Sequence, residues 1–394
     1  MLPLVDTLAR TGRVSAKDAC DAVADGISIH PDVRQLLGHD RSGSTFNLFD
    51  RRVRWVRQSA VGLDLVAKGE RGYWQLTAKG EEVAAAKDSN SQCIERGTVV
   101  TLYTTSLGSF LWGHAEDVIS SLDRGSVNLV FTSPPYPLLR KKEYGNLNGE
   151  AYLNWLEDIL GLHLEALAPH ASLLVNLGEA YEQRGSPALS TYREELTIRA
   201  RKNLGLSLFG KYYWHNPSKP PAGHWVTHAK CRPKNDAEEI LWFAKTGESP
   251  RFYGENALRP YGATMRKLLE RGGDSRAKRP SGHGDSKNGF SVDRGGSWPG
   301  QVISLPNAAS NGPYFSFCRD HGLPPHPARF PEKLAHLMVS THSQKGDLLF
   351  DPFGGSGTMA EMAEALERRW VVGERDLNYS ISSIGRFTKK LAIH

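Results

Sequence analysis

From about residue 100 onward, apolar residues gather into short unbroken runs. Between the runs, apolar positions recur at helical spacing. Phe110–Gly113, Val127–Thr132, Ser172–Leu177, Leu348–Phe350 and Trp370–Glu374 read as buried strands. His114–Leu122, Tyr152–Ala168 and Met359–Arg368 read as helices. Uninterrupted apolar strands alternating with helices predict a doubly wound α/β sheet, because only strands covered on both faces lose the apolar–polar alternation. An irregular block rich in Gly and Pro, about 247–310, separates the two halves.

The first 88 residues have a different pattern. Ser15 is placed to cap a helix over Ala16–Ala24, and a second helix is expected around Val53–Val66. Gly69–Gly72 then reads as a hairpin turn, Tyr73–Leu76 as a short strand, and a last helix starts near Thr77. Helices followed by a β-wing predict a winged-helix-like domain over 1–88. The polar stretch 87–97 reads as a linker.

Composition narrows the class. With 39% hydrophobic and 23% charged residues, a soluble globular chain is expected. No run approaches the ~20 apolar residues of a membrane span, and Met1–Asp6 lacks the features of a signal peptide. The four cysteines are widely spaced, which suits reduced thiols in a cytoplasm. The 14 histidines show no zinc spacing, so no metal is expected. The net charge of +6 is concentrated. Between Arg251 and Arg294, ten Lys/Arg face five Asp/Glu, interleaved with Tyr253, Tyr261 and Phe290. That window fits a polyanion-binding surface, and equally a solvated insertion.

Two constellations carry chemistry. Asp351-Pro352-Phe353-Gly354-Gly355-Ser356-Gly357-Thr358 follows a strand and opens a helix, where glycines let the backbone turn tightly against a ligand. It lacks the Lys-Ser/Thr of a phosphate-binding P-loop. Glu374 ends the next strand, where a carboxylate is suited to accept ribose hydroxyls. The second constellation, Ser133-Pro134-Pro135-Tyr136, leaves the end of the strand Val127–Thr132. Its prolines stiffen the loop and leave carbonyls to accept hydrogen bonds from an amino group, while Tyr136 offers a flat face to a base. Taken singly, each is compatible with an ordinary turn.

The pair resembles the amino-methyltransferases of DNA. The Ser-Pro-Pro-Tyr loop precedes the glycine turn by more than two hundred residues, which is the circularly permuted, beta-class order. Phe110–Asp117, Ser172–Gly178, Trp214–Pro217 with Arg232–Leu241, and His326–Leu334 resemble further family segments in the same order. The resemblance implies a Rossmann-like, S-adenosylmethionine-dependent methyltransferase fold. It would have a catalytic half over 98–246, a target-recognition region over 247–305 and a cofactor-binding half over 306–394. It places Ser133, Pro134, Pro135 and Tyr136 at the reacting base. Asp351, Phe353, Gly354, Gly355, Ser356, Gly357, Thr358, Glu374, His114, Phe330 and Pro331 fall at the cofactor. His114 stands where the family commonly has an acid. His215, Arg259, Arg266 and Lys267 become candidates for contact with the base or the DNA.

Ser at the head of the tetrapeptide favours N4 of cytosine over N6 of adenine. C5 methylation needs a cysteine nucleophile, usually after proline, and no proline here precedes a cysteine. The expected partners are double-stranded DNA and a separately acting restriction endonuclease. A DNA-binding regulator with a degenerate methyltransferase domain is the distant alternative, and the intact motifs argue against it.

Overall fold

The structure, a computed structural model, describes residues 2–26, 34–35, 37–39, 44–69, 72–85, 96–137, 149–221, 223–273 and 292–387. Glu70 and Arg71 of the expected turn, linker residues 87–95, and Arg276, Lys278, Arg279 and Lys287 of the basic window lie outside these.

A nine-stranded mixed sheet organises the chain from residue 99 onward. In chain order its strands are β1 (Val99–Thr104), β2 (Gly108–Gly113), β3 (Val127–Thr132), β4 (Leu167–Leu177), β5 (Leu206–His215), β6 (Ala237–Lys245), β7 (Val302–Ser304), β8 (Leu348–Asp351) and β9 (Arg369–Glu374). Across the sheet they run β7-β5-β6-β4-β3-β8-β9-β2-β1. The central strands β4, β3, β8, β9 and β2 are parallel. β1 and β6 run antiparallel to their neighbours. The expected strands are present within a few residues of their predicted ends. The sheet differs from a purely parallel one because the segments near Trp214 and Ala237 form the antiparallel pair β5 and β6. β5 mixes buried, partly buried and exposed positions, and β6 carries the charged residues Glu238, Glu239 and Lys245 among buried ones, so neither is an unbroken apolar run.

The parallel strands bury Leu129, Val130, Phe131, Leu173, Leu174, Leu349 and Phe350 almost completely. Each such side chain contributes ~1.5–3 kcal/mol through removal from water. Register between β3 and β8 is also held by a polar contact, with Leu348 N donating to Asn128 Oδ1 at 2.9 Å. The flanking helices are α1 (Ala115–Ser120), α2 (Gly149–Ala166), α3 (Tyr192–Leu204), α4 (Ala263–Glu270), α5 (Pro313–His321), α6 (Glu332–His342), α7 (Thr358–Ala365) and α8 (Leu377–Ser382). The block 247–310 is therefore less irregular than its composition predicts. It carries α4 and the edge strand β7, and Phe252 packs on Trp242 and His342.

The N-terminal segment forms helices over Leu2–Thr11, Ala16–Gly26, Leu48–Gly62 and Ala78–Ala85. Ser15 caps the second, its Oγ accepting from Asp18 N at 3.1 Å. Val14–Ser15 pairs antiparallel with Tyr73–Trp74. Leu4, Val5, Leu8, Cys20, Val53, Leu65, Trp74 and Val83 fill the space between these elements. The segment touches the sheet, with Lys79 Nζ donating to Leu102 O at 3.2 Å. No described helix is long and apolar enough to cross a membrane.

Candidate active site

Strand order reverses between β3 and β8. The chain proceeds from β3 to β4 on one side, and from β8 to β9 on the other. At such a reversal the loops leaving the carboxyl ends of the two strands splay apart and open a crevice. The loop leaving β3 is Ser133–Tyr136, and the loop leaving β8 is Pro352–Gly357. The two constellations read from sequence thus emerge side by side. A buried hydrogen bond ties their roots, with the Thr132 hydroxyl donating to Asp351 Oδ1 at 2.6 Å.

On the glycine side, Asp351 Oδ1 also accepts from Phe353 N at 3.0 Å. Burial pushes the Asp351 carboxyl up to about 7, against the lowering effect of these two donors. Gly355 and Gly357 have φ of 51° and 72°, the left-handed region that favours glycine. A Cβ on Gly354 would lie 2.0 Å from Val372 Cγ1, so the turn packs directly on β9. Glu374, ending β9, accepts from Gly355 N at 3.0 Å and from Asp376 N at 2.9 Å. Burial raises its carboxyl to about 7 as well. Ser356 and Thr358 hydroxyls are 3.1 Å apart. Arg386 clamps the turn, its Nε donating to Ser356 O at 2.7 Å and its Nη2 to Ser356 Oγ at 3.1 Å. Nothing in the local sequence around Arg386 singles it out.

The remaining residues expected at the cofactor lie at the starts of α1 and α6. Phe330 stacks on Phe131 with ring centroids 4.5 Å apart. Pro331 is the N-cap of α6, and its carbonyl accepts from Leu334 N and Ala335 N. His326, just upstream, lies against Gly355, where a Cβ would come within 3.0 Å of its ring. His114 occupies the N-cap position of α1, directly after β2.

On the other side, Tyr136 is fixed by its hydroxyl. It donates to Glu238 Oε2 at 2.8 Å and accepts from Asn176 Nδ2 at 2.8 Å. Ser133 Oγ lies 3.1 Å from the same hydroxyl oxygen. Burial, reinforced by the Glu238 charge, holds the Tyr136 hydroxyl well above the ordinary phenol range, so it remains protonated. The ring needs a glycine beneath it, since a Cβ on Gly178 would fall 2.5 Å from Tyr136 Cε2. Pro134 is buried, while Ser133 and Pro135 are partly exposed. Glu238 and Asn176 were not named as site residues from sequence, although they lie in the segments Arg232–Leu241 and Ser172–Gly178 that resemble family segments.

His215 ends β5, its Nδ1 3.0 Å from Ser304 Oγ and its Nε2 3.4 Å from Asp236 Oδ2. It pairs with Ala237, one residue before Glu238. Arg259, Arg266 and Lys267 are exposed. Arg259 exchanges backbone hydrogen bonds with Ser297, and Arg266 Nη1 donates to Tyr261 O at 2.8 Å.

Comparison with known proteins agrees with this geometry. The profile described as DNA methylase, of the N6/N4 methyltransferases, matches residues 127–383. That of the Mrr N-terminal domain matches residues 1–86. The type II methyltransferase M.PvuII of Proteus hauseri is 39% identical over 288 residues, covering 72% of this chain and 85% of the relative. The orphan methyltransferase M.BamHII of Bacillus amyloliquefaciens is 41% identical over 290 residues, covering 68% of this chain and 91% of the relative. Among solved structures, the cytosine-N4-specific PvuII DNA methyltransferase superposes with a TM-score of 0.59 at 33% identity, covering 73% of this chain and 88% of that one. An α/β sheet with a glycine turn and a Ser-Pro-Pro-Tyr loop at its reversal point, matched over most of its length, places the chain in the N6/N4 DNA methylase family.

Proposed function

We propose that the chain transfers a methyl group from S-adenosylmethionine to N4 of a cytosine in a specific duplex sequence, on a beta-class, circularly permuted scaffold. The observation that carries this reading is the abutment of Ser133–Tyr136 and the glycine turn through Thr132 and Asp351. The residues at the turn suit the cofactor. Two left-handed glycines let the turn fold tightly against His326 and Phe110, and the Glu374 carboxylate at the end of the adjoining strand suits ribose hydroxyls. Phe330, Pro331 and His326 would cover the methionine portion, and His114 would lie on the adenine side. When bound, the cofactor supplies an electrophilic methyl group on a positively charged sulfur.

The cytosine amino nitrogen is a weak nucleophile because its lone pair is delocalised into the ring. Hydrogen bonds from that amino group to Ser133 Oγ and the Pro134 carbonyl favour a pyramidal nitrogen and orient its lone pair across the crevice. No covalent enzyme–base bond forms. The target is extruded from the duplex at a cost of ~ a few kcal/mol, and Tyr136 and His215 line its pocket. Region 247–305 reads the site, with Arg259, Arg266 and Lys267, which are exposed, contacting phosphates or base edges. The N-terminal winged-helix-like domain adds DNA affinity. A restriction endonuclease of the same specificity is the expected companion.

Nucleoside mass spectrometry of plasmid DNA from cells expressing the chain tests the proposal. N4-methylcytosine, lost with Ser133→Ala, is expected; N6-methyladenine instead would transfer the same mechanism to adenine, and no modified base would end it.

A further inference from the structure

We propose that Glu238 is the terminal acceptor of the proton released from the target amino group, reached through the hydroxyls of Ser133 and Tyr136. The inference rests on amino-group methylation as proposed above and adds a residue and a route to it.

The direction of the chain of hydrogen bonds follows from counting protons. Tyr136 has one hydroxyl proton, and it goes to Glu238 Oε2 at 2.8 Å. Asn176 Nδ2 donates both to the Tyr136 oxygen and to Glu238 Oε2, each at 2.8 Å, and so holds the two together. Asn176 is 1% exposed, and its β4 position opposite Ile240 puts it on the same sheet face as Glu238, two residues away along β6. The Tyr136 oxygen keeps a lone pair for Ser133, whose Oγ stands 3.1 Å away. The Ser133 hydroxyl has two acceptors within reach, the Tyr136 oxygen at 3.1 Å and the Asn176 carbonyl at 3.4 Å; donating across the shorter contact, it presents its own lone pairs to the crevice. The arrangement is an ordered relay from the crevice to a carboxylate.

The proton balance closes. The target nitrogen forms one bond to carbon, at the expense of a carbon–sulfur bond whose electron pair stays with sulfur, and becomes cationic. It then gives its proton to Ser133 Oγ. The Ser133 proton passes to the Tyr136 oxygen, and the Tyr136 proton passes to Glu238 Oε2. Both hydroxyls end neutral, and Glu238 carries one added proton. An N-alkylated aminium cation is far more acidic than a carboxylic acid, so the transfer is downhill. Tyr136 never needs to ionise, consistent with the burial that disfavours its phenolate.

The surroundings suit a carboxylate that returns its proton to water. Lys219 Nζ lies 3.5 Å from Glu238 Oε1, and the Glu238 side chain is 17% exposed. The other charged groups nearby are already paired: Glu239 with Arg193 and Lys211, and Asp236 with Lys234 and His215. Tyr192, also close to Glu238, donates to Gly178 O.

The test uses the full chain with Glu238→Gln, Glu238→Asp, Tyr136→Phe and the Glu238→Gln/Tyr136→Phe double variant. Methyl transfer is followed in single turnovers. Cofactor binding is followed by calorimetry, and extrusion of the base by 2-aminopurine fluorescence. The Gln and Phe variants are each expected to slow transfer ~100-fold or more, with cofactor binding and extrusion retained. The double variant should be no slower than the worse single one, because both cut one relay. Glu238→Asp, which keeps a carboxylate, should recover part of the rate that Glu238→Gln loses. A Glu238→Gln or Tyr136→Phe variant with the wild-type rate overturns the relay. Should Glu238→Gln fail to fold, Tyr136→Phe and Glu238→Asp decide the matter alone. A wild-type product of N6-methyladenine would overturn only the base assignment, since the relay serves either amino group. A wild-type chain that transfers no methyl group overturns both.

Discussion

Thr132 donates its hydroxyl proton to Asp351 Oδ1 across 2.6 Å, although 219 positions separate the two residues. The bond fixes the Ser133–Tyr136 loop relative to the glycine turn at the point where each leaves the sheet. Thr132→Val keeps the shape of the side chain and leaves Asp351 Oδ1 with only the Phe353 N–H. A loss of ~1–3 kcal/mol in unfolding free energy is expected, with methyl transfer reduced further because two reacting groups lose their common anchor. Thr132→Ser should recover most of both. Denaturant unfolding and single-turnover rates measure the two effects.

Asp351 links stability to pH. Its carboxyl is raised to about 7 in the fold, by burial above all. A raised carboxyl pKa means that the native state holds the proton more tightly than the unfolded chain does. The stability this contributes is complete below the ordinary Asp range and is lost as pH rises through about 7. Asp351→Asn, which cannot ionise, should therefore gain in melting temperature relative to wild type as pH rises, and the gain should level off above neutrality. A difference that does not change with pH would show that Asp351 is not the titrating group.

Cofactor affinity should also follow pH, through Glu374. Its carboxyl is raised to about 7, first by burial, while Gly355 N and Asp376 N pull it down. Ribose hydroxyls donating to this group would favour its ionised form, so binding should release a proton. S-adenosylmethionine should thus bind more tightly as pH rises through neutrality, reaching a plateau above it. Calorimetry in buffers of different ionisation heat detects the released proton. Glu374→Gln should abolish the release, and Asp351→Asn should not.

Two glycine substitutions should separate binding from chemistry. Gly355→Val places a branched side chain at φ 51° against the His326 ring and should abolish cofactor binding. Gly178→Ala brings a Cβ to 2.5 Å from Tyr136 Cε2, so the ring must shift and its hydroxyl must leave Glu238. Cofactor binding should survive that change while transfer falls ~10-fold or more. Calorimetry and rate measurements on the two variants should give these opposite patterns.

Local sequence determined the central strands, the glycine turn and the Ser-Pro-Pro-Tyr loop. Buried parallel strands leave unbroken apolar runs, and tight turns need glycine or proline at particular places. Both requirements act over a few residues and are written in those residues. The antiparallel pair β5 and β6, the helix within 247–310 and the N-terminal helix Leu2–Thr11 were not visible in this way, because their apolar positions acquire meaning only from what packs on them. The partners of the site were less visible still. Glu238 and Asn176 meet Tyr136 because β6 lies beside β4, and Arg386 reaches Ser356 from beyond the last strand. Sequence determined which residues were able to carry the chemistry. Strand order, a long-range property of the packed sheet, decided which of them meet.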